Sequence, residues 1–137
     1  METRFIYEHI LRMGNNTIEI RNNLCTMMKK EKFGIEDLDM LNLMSKTLID
    51  YQGFIRQIPD DVEADLAAHC RWESLKHHLT SMIEQQVRNM RLYKKTITRH
   101  MDDEKKRIEY KEQREKIRQI RIKREVENAY RDKEGSN

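Results

Sequence analysis

The stretch PDDVEADLAAHCRWESLKHHLTSMIEQQVRNM, residues 59–90, decides how this chain folds. It opens on the only proline of the sequence, which disfavours helical backbone in the residue before it and so closes whatever precedes. Asp60 then offers an N-cap to which Glu63 can reply. From there to near Tyr130 neither Gly nor Pro occurs, and about 70 residues of unbroken helix would reach on the order of 105 Å. Ala68, Trp72, Leu75, Leu79 and Met82 form the first apolar stripe, which moves to Ile83, Val87, Met90, Ile97, Met101 and Ile108. The steps of 4 and 4 from Leu79 through Ile83 to Val87 read as a stutter, where the packing partner is expected to change.

Working back from Pro59, two shorter helices are expected over residues 2–32 and 35–58. Ile6, Ile10, Met13, Thr17, Ile20, Leu24 and Met27 alternate gaps of 4 and 3, a heptad seam. Leu11, Ile18 and Cys25 recur at seven beside it and are expected to widen the seam towards a bundle. Phe33-Gly34 fits a stop in which Gly takes left-handed backbone. Leu41, Met44, Leu48, Tyr51, Ile55 and Ile58 carry the second seam. So short a link between two helices predicts an antiparallel hairpin over 1–58. This hairpin covers less than half of the long helix, so residues 59–101 pack on the hairpin, on a partner, or on both.

Beyond Met101 the pattern changes character. Of the 24 residues 102–125, 17 are charged. Asp102 with Lys106, Asp103 with Arg107 and Glu112 with Lys116 are acid-before-base pairs at four, each worth about 0.3–0.5 kcal/mol to an exposed helix. Residues 102–137 are therefore expected to form a coiled-coil or charged helical rod, fraying over 131–137. The fold class is all-α: a helical hairpin packed on the first half of a long third helix. Few breakers and no period-two alternation agree with this.

Charge is polarised along the chain. Residues 1–84 hold 10 Lys+Arg against 14 Asp+Glu, and residues 85–137 hold 17 against 10. Arg88, Arg91, Lys95 and Arg99, at gaps of 3, 4 and 4, share a helical face in a stretch without Asp or Glu. Lys116, Arg118, Arg121, Lys123 and Arg124 make a second basic cluster. Both are suited to phosphates or an acidic protein surface, although charge runs are more often solvated faces.

Catalysis requires a nucleophile, acid or base and charge stabilisers that converge, and no such spacing occurs. His69, Glu73 and His77, with Cys70 and His78 beside them, lack a recognised zinc spacing, so no metal, cofactor or small-molecule substrate is expected. Cys25 and Cys70 are expected to be reduced and packed. Tyr93 stands out as an interface aromatic, because it lies beyond the reach of the hairpin. No apolar stretch approaches the length of a signal-peptide core or a membrane span. The chain therefore reads as an intracellular, non-enzymatic helical scaffold or adaptor subunit, with the nucleus favoured over the cytoplasm. Its partner-binding seam would comprise Ile83, Val87, Met90, Tyr93, Ile97, Met101 and Ile108, meeting a helical partner or a second copy. The alternative is an accessory nucleic-acid-binding protein that uses the two basic faces without reading bases.

Overall fold

The computed structural model describes residues 2–135. Four helices follow in order: α1 (Thr3–Met27), α2 (Ile35–Arg56), α3 (Asp60–His69) and α4 (Trp72–Gly135). No strand occurs among the described residues, and α4 packs on the other helices. The chain divides into two units, Met1–Thr98 and Arg99–Asn137.

In the first unit the α1 seam is buried as its heptad spacing requires: Ile6, Ile10, Met13, Thr17, Ile20, Leu24 and Met27 all face inward. Thr17 satisfies its hydroxyl by donating to the Met13 carbonyl at 2.7 Å, which lets a polar side chain sit in the seam. The seam is narrower than the sequence suggests, since Leu11 and Ile18 remain 42% and 39% exposed and Cys25 is exposed. Asn15 and Asn16 leave α1 unbroken. Instead, Asn16 reaches across to α2 and donates to the Tyr51 hydroxyl at 2.9 Å. His9 and Phe54 meet edge-on at 4.7 Å between ring centres. These two contacts, with Leu41, Met44, Leu48 and Ile55 buried on α2, fix the antiparallel α1–α2 pair.

The link between those helices is built differently from its expected form. Gly34 is the N-cap of α2, in extended rather than left-handed backbone (φ −124°). Asp37 closes the turn: it accepts from the Gly34 N–H at 2.9 Å and from Lys30 Nζ at 2.7 Å. The Lys30 ammonium, helped by the Gly34 amide, holds its carboxyl below the ordinary value.

The long helix is also interrupted where no breaker stands. α3 ends at His69, Cys70 is extended (φ −153°, ψ 175°), and α4 starts at Trp72. The cap of α3 is Pro59, whose carbonyl accepts from the Glu63 N–H at 3.0 Å, so Asp60 is the first helical residue rather than the cap. At the other end of α3 side chains add to carbonyls that already serve the helix, the Leu66 carbonyl accepting from the Cys70 N–H at 2.9 Å. His69 Nδ1 lies 2.8 Å from the Asp65 oxygen, and the Cys70 thiol donates to the Leu66 oxygen at 3.2 Å.

Glu63 secures this corner from the α3 side. Its Oε1 accepts from Lys76 Nζ at 2.6 Å and from Trp72 Nε1 at 3.3 Å. The Lys76 hydrogen bond holds the Glu63 carboxyl below its ordinary 4.5, and the same contact raises Lys76 above its ordinary 10.5. A depressed carboxyl contributes stability that is present above its unfolded value and lost as pH falls through its folded one. A raised ammonium contributes stability that is present below 10.5 and lost as pH rises beyond that. The stability difference between the parent chain and Glu63→Gln should therefore stay level, at about 1 kcal/mol, from about pH 5 to pH 10 and shrink on either side. Urea midpoints measured across pH test this, and a difference that grows in acid would refute it.

Candidate partner-binding surfaces

Heptad geometry decides which side chains of α4 are available to anything else. Trp72, Leu79, Ile83, Gln86, Met90 and Ile97 are buried, and Lys76 and Tyr93 are half-buried. Together they form one seam whose gaps alternate strictly between 4 and 3 from residue 72 to residue 97. No stutter occurs. The buried position after Ile83 is Gln86, at 4% exposure, and not Val87, which is half-buried beside it. Hydrophobicity alone points to the apolar neighbour, whereas the repeat puts Gln86 inside. Gly14 marks where α1 meets this seam, because a Cβ there would stand 4.0 Å from Leu79 Cδ1.

The seam assigned to a partner is thereby largely occupied. Ile83, Met90 and Ile97 are 0%, 3% and 0% exposed within the single chain. Val87, Tyr93 and Met101 are half-buried. Tyr93 belongs to this seam, and only Ile108, 49% exposed, is presented to solvent. The shortfall in coverage anticipated from helix lengths disappears in the first unit, because the buried part of α4 ends at Ile97 and the rest belongs to the second unit.

The second unit is one continuous stretch of α4, and helix persists to Gly135 through positions expected to fray. Residues 136 and 137 lie outside the described part. From 105 to 133 every residue is exposed. Ile108, Tyr110, Ile117, Ile120, Ile122, Val126 and Tyr130 keep between 43% and 69% of their surface. At about 100° per residue they divide into two groups, with Ile108, Ile122, Val126 and Tyr130 on one face and Tyr110, Ile117 and Ile120 on the other. Heptad spacing carried on from Met101 meets Ile108, then Glu115, then Ile122. A charge in the middle of that line breaks the apolar seam of a two-stranded coil.

All the basic candidates are exposed. Arg88, Arg91 and Lys95 belong to the first unit and Arg99 to the second, so they do not form a face within one unit. Arg88 donates to Gln85 at 3.1 Å. Lys116, Arg118, Arg121, Lys123 and Arg124 all lie in the second unit, spread around the helix instead of sharing one face. Among the described residues, Arg107 pairs with Glu104 at 3.4 Å and Arg118 with Glu115 at 3.9 Å. The three pairs expected at a spacing of four are not among them, and spacing of three prevails.

His69 lies on α3 while Glu73 and His77 lie on α4, so the break at Cys70 disperses that cluster. His69 faces Asp65, its Nδ1 3.3 Å from the carboxylate. Among the described residues no group of three or more His, Cys, Asp or Glu is placed to hold a metal ion, and no helix is long and apolar enough to cross a membrane. A cleft between α1 and α3 is lined by Thr3, Arg4, Tyr7, Asp65, Leu66, His69 and Cys70. No family model, curated protein or solved structure matches this chain.

Proposed function

We propose that the chain is a non-enzymatic helical subunit or adaptor of a multiprotein complex, and that the second unit makes its protein contact. The observation that carries this reading is the contrast between the units. The first takes up its own apolar seams, whereas the second leaves seven large apolar side chains in water along an otherwise charged helix. Burying one such side chain fully is worth about 1.5–3 kcal/mol, so either face could anchor a partner. The first unit exposes apolar residues too, among them Leu11 with Ile18 on α1 and Met40 with Leu43 on α2, but its helices also carry filled seams, and exposed apolar side chains of this kind are ordinary for a protein surface.

The face of Ile108, Ile122 and Val126 tests the reading. Changing all three to Glu should abolish capture of the partner from a native extract. The unfolding free energy of the first unit from urea titration should change by no more than about 0.5 kcal/mol, as is usual for solvent-facing positions. Photo-crosslinking from position 122 in the parent chain should label the same partner that the variant loses. Undiminished capture by the variant, together with no crosslink, would remove this face from the function. Capture that instead depends on nuclease-sensitive material would favour the nucleic-acid reading.

A further inference from the structure

Five cations of the second unit share a face that neither basic cluster in the sequence reveals. Arg107, Lys111, Arg114, Arg118 and Arg121 follow at gaps of 4, 3, 4 and 3, which confines them to about 80° of the helix circumference over about 21 Å. No Asp or Glu enters that arc between its ends, and Asp103 and Glu125 bound it on either side. Glu109, Glu112 and Glu115 point elsewhere around the helix. All five cations are exposed. The pairings of Arg107 with Glu104 and of Arg118 with Glu115 are long and solvent-facing, with Arg107 64% and Arg118 72% exposed, and exposed pairs of this kind hold a side chain only weakly.

Beside the cations, on the neighbouring arc, run Tyr110, Ile117 and Ile120, 60%, 58% and 54% exposed. The two rows are joined physically. The Arg114 guanidinium carbon sits 5.8 Å from the centre of the Tyr110 ring. Lys111, Arg114, Glu115, Ile117, Arg118 and Arg121 line one shallow recess, in which five of the six residues are cationic or apolar.

Charge restricts what can cover this surface. A second copy in parallel register would set each cation against itself, and an antiparallel copy centred on Arg114 would set Arg107 against Arg121 and Lys111 against Arg118. Both arrangements are repulsive. A nucleic acid would engage the cations but leave Tyr110, Ile117 and Ile120 in water. It would also meet the seven acids that residues 102–125 carry among ten cations. Cations rising along the axis by about 5 Å a step have the period of a helix and suit acids at the same 3 and 4 spacing.

We propose that this face binds an amphipathic helix that carries a row of Glu or Asp beside a row of apolar side chains. The inference rests on the protein-contact reading above and names the chemistry of the partner. Arg107, Arg114, Arg118 and Arg121 take its carboxylates, for which the planar guanidinium suits bidentate contact. Tyr110, Ile117 and Ile120 bury its apolar row, as in helix-on-helix recognition.

The test uses the full chain and a fluorescein-labelled synthetic peptide, about four turns long, with Glu in one helical row and Leu in the next. A scrambled peptide of the same composition, a DNA duplex and a single-stranded RNA are titrated beside it at about 150 mM salt. The patterned peptide should bind at least about tenfold more tightly than the scrambled one. Charge reversal by Arg107→Glu, Arg114→Glu and Arg118→Glu should weaken its binding at least about tenfold. The same three positions changed to Gln should weaken it less, and unchanged helical circular dichroism in either variant excludes unfolding as the cause. Equal binding of the patterned and scrambled peptides, indifference to charge reversal, or tighter binding of either nucleic acid would each overturn the proposal. If the reversal leaves native partner capture intact while the Ile108, Ile122 and Val126 variant abolishes it, the acidic-helix inference falls and the protein-contact reading stands. If both variants leave capture intact, both fall.

Discussion

Met90→Asp combined with Ile97→Asp is expected to unfold the first unit outright. Both residues lie in the α4 seam, 3% and 0% exposed. Each substitution deletes an apolar side chain at a cost of about 2–5 kcal/mol. Each also places a carboxylate where water does not reach, which costs several kcal/mol more or forces protonation. Two such changes exceed the roughly 5–15 kcal/mol by which whole domains are stable. Circular dichroism should show loss of the cooperative transition of residues 1–98, and any helix that survives should melt gradually, as a helix supported by local pairs does. The result separates two uses of one pattern. Were these residues a seam for a partner, the variants would stay folded and lose only association, and an unchanged urea midpoint would restore that reading.

Much of this architecture can be read from the chain because it follows from spacing alone. The α1 seam from Ile6 to Met27, the α2 seam and the boundary at Pro59 rest on heptad periods and on proline, and these act locally. The α4 seam was harder because its period passes through Lys76, Gln86 and Tyr93, where hydrophobicity and geometry disagree. A strict count of 4 and 3 from Trp72 would have found Gln86 and removed the apparent stutter. The five-cation face was equally within reach, since it needed only an angular count of residues 107–121 in place of a search for runs. The division of the chain at Thr98 was not legible, because it depends on how far α1 and α2 extend beside α4. Nor was the corner at Cys70, since residues 68–74, Ala-His-Cys-Arg-Trp-Glu-Ser, contain neither Gly nor Pro.

That corner carries the other large effect. Trp72→Ala should lower the stability of the first unit by about 3–5 kcal/mol, because the indole is 1% exposed and among the largest fully buried side chains. Trp72→Phe should recover most of this, short of about 1 kcal/mol for the Nε1 hydrogen bond to Glu63. Geometry shows why the indole matters beyond its own burial. In an unbroken helix Glu63 and Lys76 would stand about 20 Å apart along the axis, yet Oε1 and Nζ are 2.6 Å apart. The Trp72 and Lys76 contacts to Glu63 therefore exist only when the chain turns at Cys70, while the local sequence would permit it to run straight. The turn is thus a tertiary product, held by Trp72, Glu63 and Lys76 against a helix that would otherwise close. Hydrogen exchange gives the decisive readout. As first-turn amides of α4, those of Trp72, Glu73 and Ser74 lack acceptors within their own helix, whereas a straightened chain would pair them with Ala68, His69 and Cys70. In Trp72→Ala the amides of residues 72–74 should become more protected relative to the rest of α4, even as the unit as a whole loses stability. If they instead lose protection in step with the whole unit, the turn is set by the local backbone and the straight alternative is not accessible to this chain.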